Sequence, residues 1–159
     1  MVYTMIIYTD GGCRGNGQPW ATGAAAAVFK TKYGKYRAWT RTLPSNPTPT
    51  NQRAEITAII VALEQALEKY NSLETRPWLD LRIYSDSRYA VECMKNWIYK
   101  WTRNGWVNAA GNTVANRDLL EEAFDLDDRL RKEGDIEYIW IPREENKVAD
   151  GCCNRLLDS

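Results

Sequence analysis

Three segments of the chain gather β-branched and aromatic side chains, and the first two then stop on an acid. Ile6, Ile7 and Tyr8 read as a strand buried on both faces that runs into Asp10 and then into a glycine-rich stretch, GGCRGNG, where the strand is expected to end. Residues 79–84 (LDLRIY) repeat the arrangement, delivering Asp86 ahead of a helical segment from Ser87. Residues 136–141 (IEYIWI) form a third such strand, followed by PREENKVADGCCNRLL, where Val148, Cys152 and Leu156 predict the buried face of a last helix and Asp150 lies in its early part. Between the first two, residues 21–30 and 34–43 predict a hairpin turning around Gly34, which makes an antiparallel meander with the first strand. PSNPTPTN is a proline-stiffened connection ending in Thr50 and Asn51, both good helix N-caps. Ile56, Ile59, Ile60, Leu63 and Leu67 then recur at helical spacing. The alternation predicts an α/β fold.

The acids change this from a fold into a candidate site. Glu55 lies one turn before Ile59, beside the apolar stripe and facing the sheet. Singly, each acid has an ordinary reading, a turn aspartate or a first-turn glutamate on the helix dipole. Two strands that each end on an aspartate argue for more, because functional groups in α/β sheets collect where strand ends meet helix starts. Asp10, Glu55, Asp86 and Asp150, on separate elements, can thus converge on one edge of the sheet. Without cations they would repel and some would stay protonated, a conflict that a pair of Mg²⁺ or Mn²⁺ ions, which prefer oxygen ligands, removes.

Other chemistries drop out. The chain has no histidine, which excludes Ser/His/Asp and Cys/His triads and an imidazole base. Cys13, Cys93, Cys152 and Cys153 lack zinc-type spacing and read as reduced thiols. GGCRGNG lacks the Gly-Lys-Ser/Thr ending of a nucleotide loop and opens into a strand. With 159 residues and no secretory or membrane-spanning run, the chain reads as a single intracellular domain, residues 1–159, of the cytoplasm or nucleus. No contact with a membrane is expected, and a monomer is.

Net charge is zero, yet the charge is segregated. From Gly11 to Ala54 there is no acid, while Arg14, Lys30, Lys32, Lys35, Arg37, Arg41 and Arg53 are present. Residues 93–117 are likewise free of acids and hold Lys95, Lys100, Arg103 and Arg117 among Trp97, Trp101 and Trp106. Basic residues interleaved with tryptophan fit a surface that follows phosphates and packs on sugars or bases, and the competing reading is a solvated helix face.

YTDGG, TNQRAE, YSDS and VADGCCN, in this order and spacing, resemble the four signature segments of type 1 ribonuclease H, and CMKNWIYKWTRNGW is similar to the basic protrusion of the family's cellular members. The resemblance runs from the first strand to the last helix. It implies a ribonuclease H-like fold, a five-stranded mixed sheet of order 3-2-1-4-5 with helices on both faces. It also implies endonucleolytic cleavage of the RNA strand of RNA–DNA hybrids, leaving 3′-hydroxyl and 5′-phosphate ends. Asp10, Glu55, Asp86 and Asp150 match the catalytic, metal-binding quartet. Asn16, Asn51 and Gln52 match positions that probe the minor groove, Thr50 and Asn116 a pocket for one DNA phosphate, and Trp97 and Trp101 a channel for deoxyriboses. Lys95, Lys100 and Arg103 would grip the DNA strand. Two departures stand out: Thr48 replaces an arginine common in cellular members, and the histidine-bearing loop before the fourth carboxylate is here PREENK. A hybrid-binding module without turnover, and another nuclease of the superfamily such as an integrase or resolvase, are the alternatives.

Overall fold

In a computed structural model, which describes residues 1–31 and 33–159, five strands form one sheet in the order β3-β2-β1-β4-β5. They are β1 (Val2–Arg14), β2 (Thr22–Lys30), β3 (Tyr36–Thr42), β4 (Trp78–Ser85) and β5 (Gly134–Trp140). The first three pair antiparallel as a meander, and β1-β4-β5 pair parallel. Lys32, of the basic tract, lies outside the described residues.

The helices are α1 (Asn51–Asn71), α2 (Arg88–Glu92), α3 (Ile98–Asn104), α4 (Arg117–Arg131) and α5 (Lys147–Asp158), with a π-helical turn, Cys93–Trp97, joining α2 to α3. Thr50 caps α1, its Oγ1 accepting the Arg53 N–H at 3.1 Å. The stripe Ile56, Ile59, Ile60 and Leu63 is buried and Leu67 partly so, but Thr57, Ala58, Val61 and Ala62 are buried too. Packing against both the sheet and α4 accounts for this all-round burial of α1. α5 covers the other face over β1 and β2. Buried Asp127 ties α4 to the sheet, accepting from Tyr138 Oη on β5 at 2.6 Å and from Arg131 Nε at 2.7 Å.

Three expectations are corrected. The first strand does not stop at Asp10; β1 runs on to Arg14, with Asp10 opposite Ala26 and Gly11 opposite Ala25. Nor is it buried evenly on both faces: Met5, Ile7 and Thr9 are buried, whereas Ile6, Tyr8 and Asp10 are half-buried. The buried face of α5 is formed by Ala149, Cys152 and Cys153, while Val148 is 38% exposed. Small side chains face inward there because α5 lies against the alanines of β2, where a bulkier residue would hold it off.

Candidate active site

Close approach of backbone to backbone makes the site. Ala24–Ala27 of β2 are all buried and alternate between faces, Ala25 meeting Ala54 and Ala58 of α1, and Ala24 and Ala26 meeting Ala149, Cys152 and Cys153 of α5. At Gly11 the start of α1 crosses β1 so closely that a Cβ would lie 2.2 Å from the Ala54 carbonyl carbon and 2.4 Å from the Glu55 nitrogen. Glycine is therefore obligatory at that crossing. The residue before it is Asp10 and the residue it touches is Glu55.

The Asp10 carboxyl is pushed up to about 8, first by burial, then by the charges of Asp86 and Asp150, and by a shared hydrogen bond with Asp150. Glu55 is also raised, mainly by burial; the Ser87 hydroxyl, donating to Glu55 Oε2 at 2.6 Å, opposes the shift, and Asp86 adds to it. The exposed guanidinium of Arg143 lowers both. Asp86 accepts from Asn146 Nδ2 at 3.3 Å, and the same amide donates to the Thr9 carbonyl at 2.9 Å. Asp150 Oδ2 accepts from Asn154 at 3.3 Å.

The four acids are thus brought together electrostatically. Yet among the described residues no three ligating side chains close into a finished cage. The donor set still fits a hard divalent cation: every oxygen is a carboxylate's, and an aspartate whose proton is held to about 8 marks negative charge in excess of what the protein neutralises.

Beside the cluster runs a polar and aromatic ledge. Asn16 Oδ1 accepts the Asn51 N–H at 3.0 Å, and Asn51 Oδ1 accepts the Cys13 N–H at 3.0 Å, fixing the β1–β2 loop to the start of α1. Asn116, at a left-handed φ of 63°, donates through Nδ2 to Tyr89 Oη at 2.9 Å and to Gln52 Oε1 at 3.3 Å. The Tyr89 ring meets Trp97 edge-on at 6.4 Å, Trp97 meets Trp101 at 5.9 Å, and Trp101 meets Trp106 at 6.4 Å. Trp97 is 42% exposed, Trp101 packs against the core, and Lys95, Lys100 and Arg103 are exposed. Thr50, Asn51, Gln52, Asn16, Asn116 and Trp97 therefore line one continuous surface.

Sequence reasoning gave no role to Ser87, Tyr89, Asn146 or Trp140. Ser87 carried a signal, since an N-cap serine follows Asp86 directly and caps α2, accepting the Ala90 N–H at 3.1 Å. The others act on elements distant in sequence. A groove of about 1060 Å³ lies at the far end of β1, lined by Val2–Ile6, Trp39 and Lys69, and does not touch the carboxylates. The half-buried acids lie instead beside the polar and aromatic ledge, and four carboxylates next to a surface carrying Lys95, Lys100 and Arg103 fit the class of the nucleases.

Comparison with known proteins agrees. The RNase H family model matches residues 3–156. Ribonuclease HI of Neisseria meningitidis serogroup A is 34% identical over 159 residues, 98% of this chain and 96% of that protein. Ribonuclease H of Symbiobacterium thermophilum is 40% identical over 153 residues, 96% of this chain and 90% of that protein. A foamy viral protease-reverse transcriptase solved in complex with RNA/DNA hybrid superposes with a TM-score of 0.75 at 20% identity, covering 96% of this chain and 20% of that polypeptide. The chain belongs to the RNase H family and is an endoribonuclease, in a family that is metal-dependent in general.

Proposed function

We propose that the chain hydrolyses the RNA strand of RNA–DNA hybrids with two Mg²⁺ ions, Mn²⁺ being able to replace them, held by Asp10, Glu55, Asp86 and Asp150. Held by these four carboxylates, the ions would supply the activation of water and the stabilisation of the departing 3′-oxygen, with a 5′-phosphate left on the other product. The chain's own residues do the rest. Glu55 accepts from the 2′-hydroxyl beside the cut, so that RNA is told from DNA. Asn146 fixes the rotamer of Asp86. Asn16, Asn51 and Gln52 read the minor groove. One DNA phosphate is taken by Asn116 and Thr50: the long Asn116–Gln52 bond gives way to a phosphate oxygen, and the capping hydroxyl of Thr50 still has its proton to donate. Trp97 packs on a deoxyribose with Trp101 behind it, and Lys95, Lys100 and Arg103 follow the phosphates of the DNA strand. The protein acts as a monomer inside the cell.

The observation that carries this reading is the raised Asp10 carboxyl within a set of four acids beside the ledge. Labelled RNA–DNA hybrid, double-stranded RNA and double-stranded DNA, each incubated with Mg²⁺ or with EDTA, test it. Only the RNA of the hybrid should be cut, and only with Mg²⁺. Cutting of double-stranded DNA would overturn it.

A further inference from the structure

Most of the arginines near the sheet are committed to acids: Arg53 to Asp118, Arg82 to Asp80 and Arg131 to Asp127. Arg88, exposed and two residues after Asp86, is not; among the described residues no carboxylate lies within ion-pair distance of it. Its guanidinium carbon sits 3.8 Å from the ring centroid of Trp140, the last residue of β5. A guanidinium laid on an indole keeps its N–H groups at the edge, directed outward and weakly hydrated, ready for a phosphate oxygen. The same indole has a second attachment: Trp140 Nε1 donates to the Asp86 carbonyl oxygen at 3.1 Å. The next residue, Ile141, donates its N–H to the Ser85 carbonyl at 2.9 Å, so the end of β5 is fastened to the chain on both sides of Asp86.

We propose that Arg88, held on Trp140, contacts a phosphate of the substrate's RNA strand next to the cut, and that Trp140 is a positioning residue that sets this contact and Asp86 in register. It rests on the hybrid-cleaving reading above: the strand cut at the carboxylates must carry its neighbouring phosphates past a side chain two residues from Asp86, while the DNA strand lies over Trp97. One exposed charge-assisted contact predicts that Arg88→Ala raises KM about fivefold to tenfold, with kcat falling less than twofold. The slope of log affinity against log salt should shrink by about one. Arg88→Lys should rescue little, because an ammonium neither stacks nor forks. Trp140→Phe, which keeps a ring but loses the N–H, should lower kcat and weaken Mg²⁺ binding measured by calorimetry without substrate.

The deciding experiment walks a single uncharged methylphosphonate linkage along the RNA strand. In the wild type, one linkage beside the cut should raise KM several-fold, and in Arg88→Ala that linkage should make no further difference. If both proteins lose equally at every linkage, Arg88 touches no phosphate and the proposal fails. If Trp140→Phe binds Mg²⁺ and turns over like the wild type, the positioning role fails. A wild type that leaves hybrid uncut overturns the hybrid-cleaving reading instead. Should Trp140→Phe not fold, Trp140→Tyr replaces it, and the linkage scan on Arg88→Ala stands alone.

Discussion

Asp10 lies within a thirteen-residue strand, half-buried, with the α1 backbone in contact with the residue after it. Trp97 closes a five-residue π-helical turn and stands 42% exposed, and the Tyr89–Asn116–Gln52 chain that links it to α1 consists of two side-chain hydrogen bonds. The first region is positioned by main-chain crossings that leave no room to adjust, the second by contacts that can be remade singly. Chemistry on a phosphate needs reacting groups fixed closely, whereas a ledge that binds a duplex needs charge and area. The difference predicts steep, all-or-none losses from changes at the cluster and graded ones along the ledge.

Asp10→Asn or Asp86→Asn should produce the largest effect. Each removes a carboxylate ligand while keeping shape, so hydrolysis of hybrid should fall at least roughly a thousandfold, about 4 kcal/mol of barrier, while circular dichroism stays native. Near-normal cleavage by either variant would show that the cluster is not the site. Gly11→Ala comes next, now in stability: its methyl group would have to displace α1, and the loss should be about 3 kcal/mol or more in a urea melt. A melt within 1 kcal/mol of wild type would mean that the crossing yields after all.

On the ledge, neutralising Lys95, Lys100 and Arg103 together should weaken hybrid binding and cut the salt slope by up to about three, with the saturated rate little changed. An unchanged slope would make this segment a solvated helix face. Tyr89→Phe should be the mildest: it deletes one hydrogen bond to Asn116 and keeps the ring against Trp97, so hybrid affinity should drop only about threefold to fivefold. A drop as steep as that of Asp10→Asn would erase the distinction between the two regions.

Legibility followed the same division. Strand ends that stop on acids are local signals, and Asp10 and Asp86 were readable for that reason, as was Glu55 from its phase on α1. The persistence of β1 through Gly11 was not readable, because glycine in a strand pattern normally signals a break and its reason here, the crossing of α1, is tertiary. The α5 face was misjudged because valine looks more buried than alanine or cysteine until the alanine floor of β2 is known. Asn146, Tyr89 and Trp140 act across 60, 27 and 54 residues of sequence, distances at which no periodicity speaks.

The cluster carries more negative charge than the protein alone can hold. Asp10 keeps its proton to about 8 in the folded chain, against an ordinary value of 3.8, so between those limits the folded state binds more protons than the unfolded state. Stability without metal must then fall as pH rises from about 4 to about 8, and Glu55, shifted the same way, adds to the fall. The most direct measurement is the urea-melt stability of wild type and Asp10→Asn at pH 4.5 and pH 8, each with EDTA and with Mg²⁺. With EDTA, the advantage of Asp10→Asn should grow by roughly 1–3 kcal/mol from the lower to the higher pH, and Mg²⁺ at pH 8 should stabilise the wild type and cancel that advantage. An advantage that does not change with pH, together with a wild type indifferent to Mg²⁺, would contradict the account.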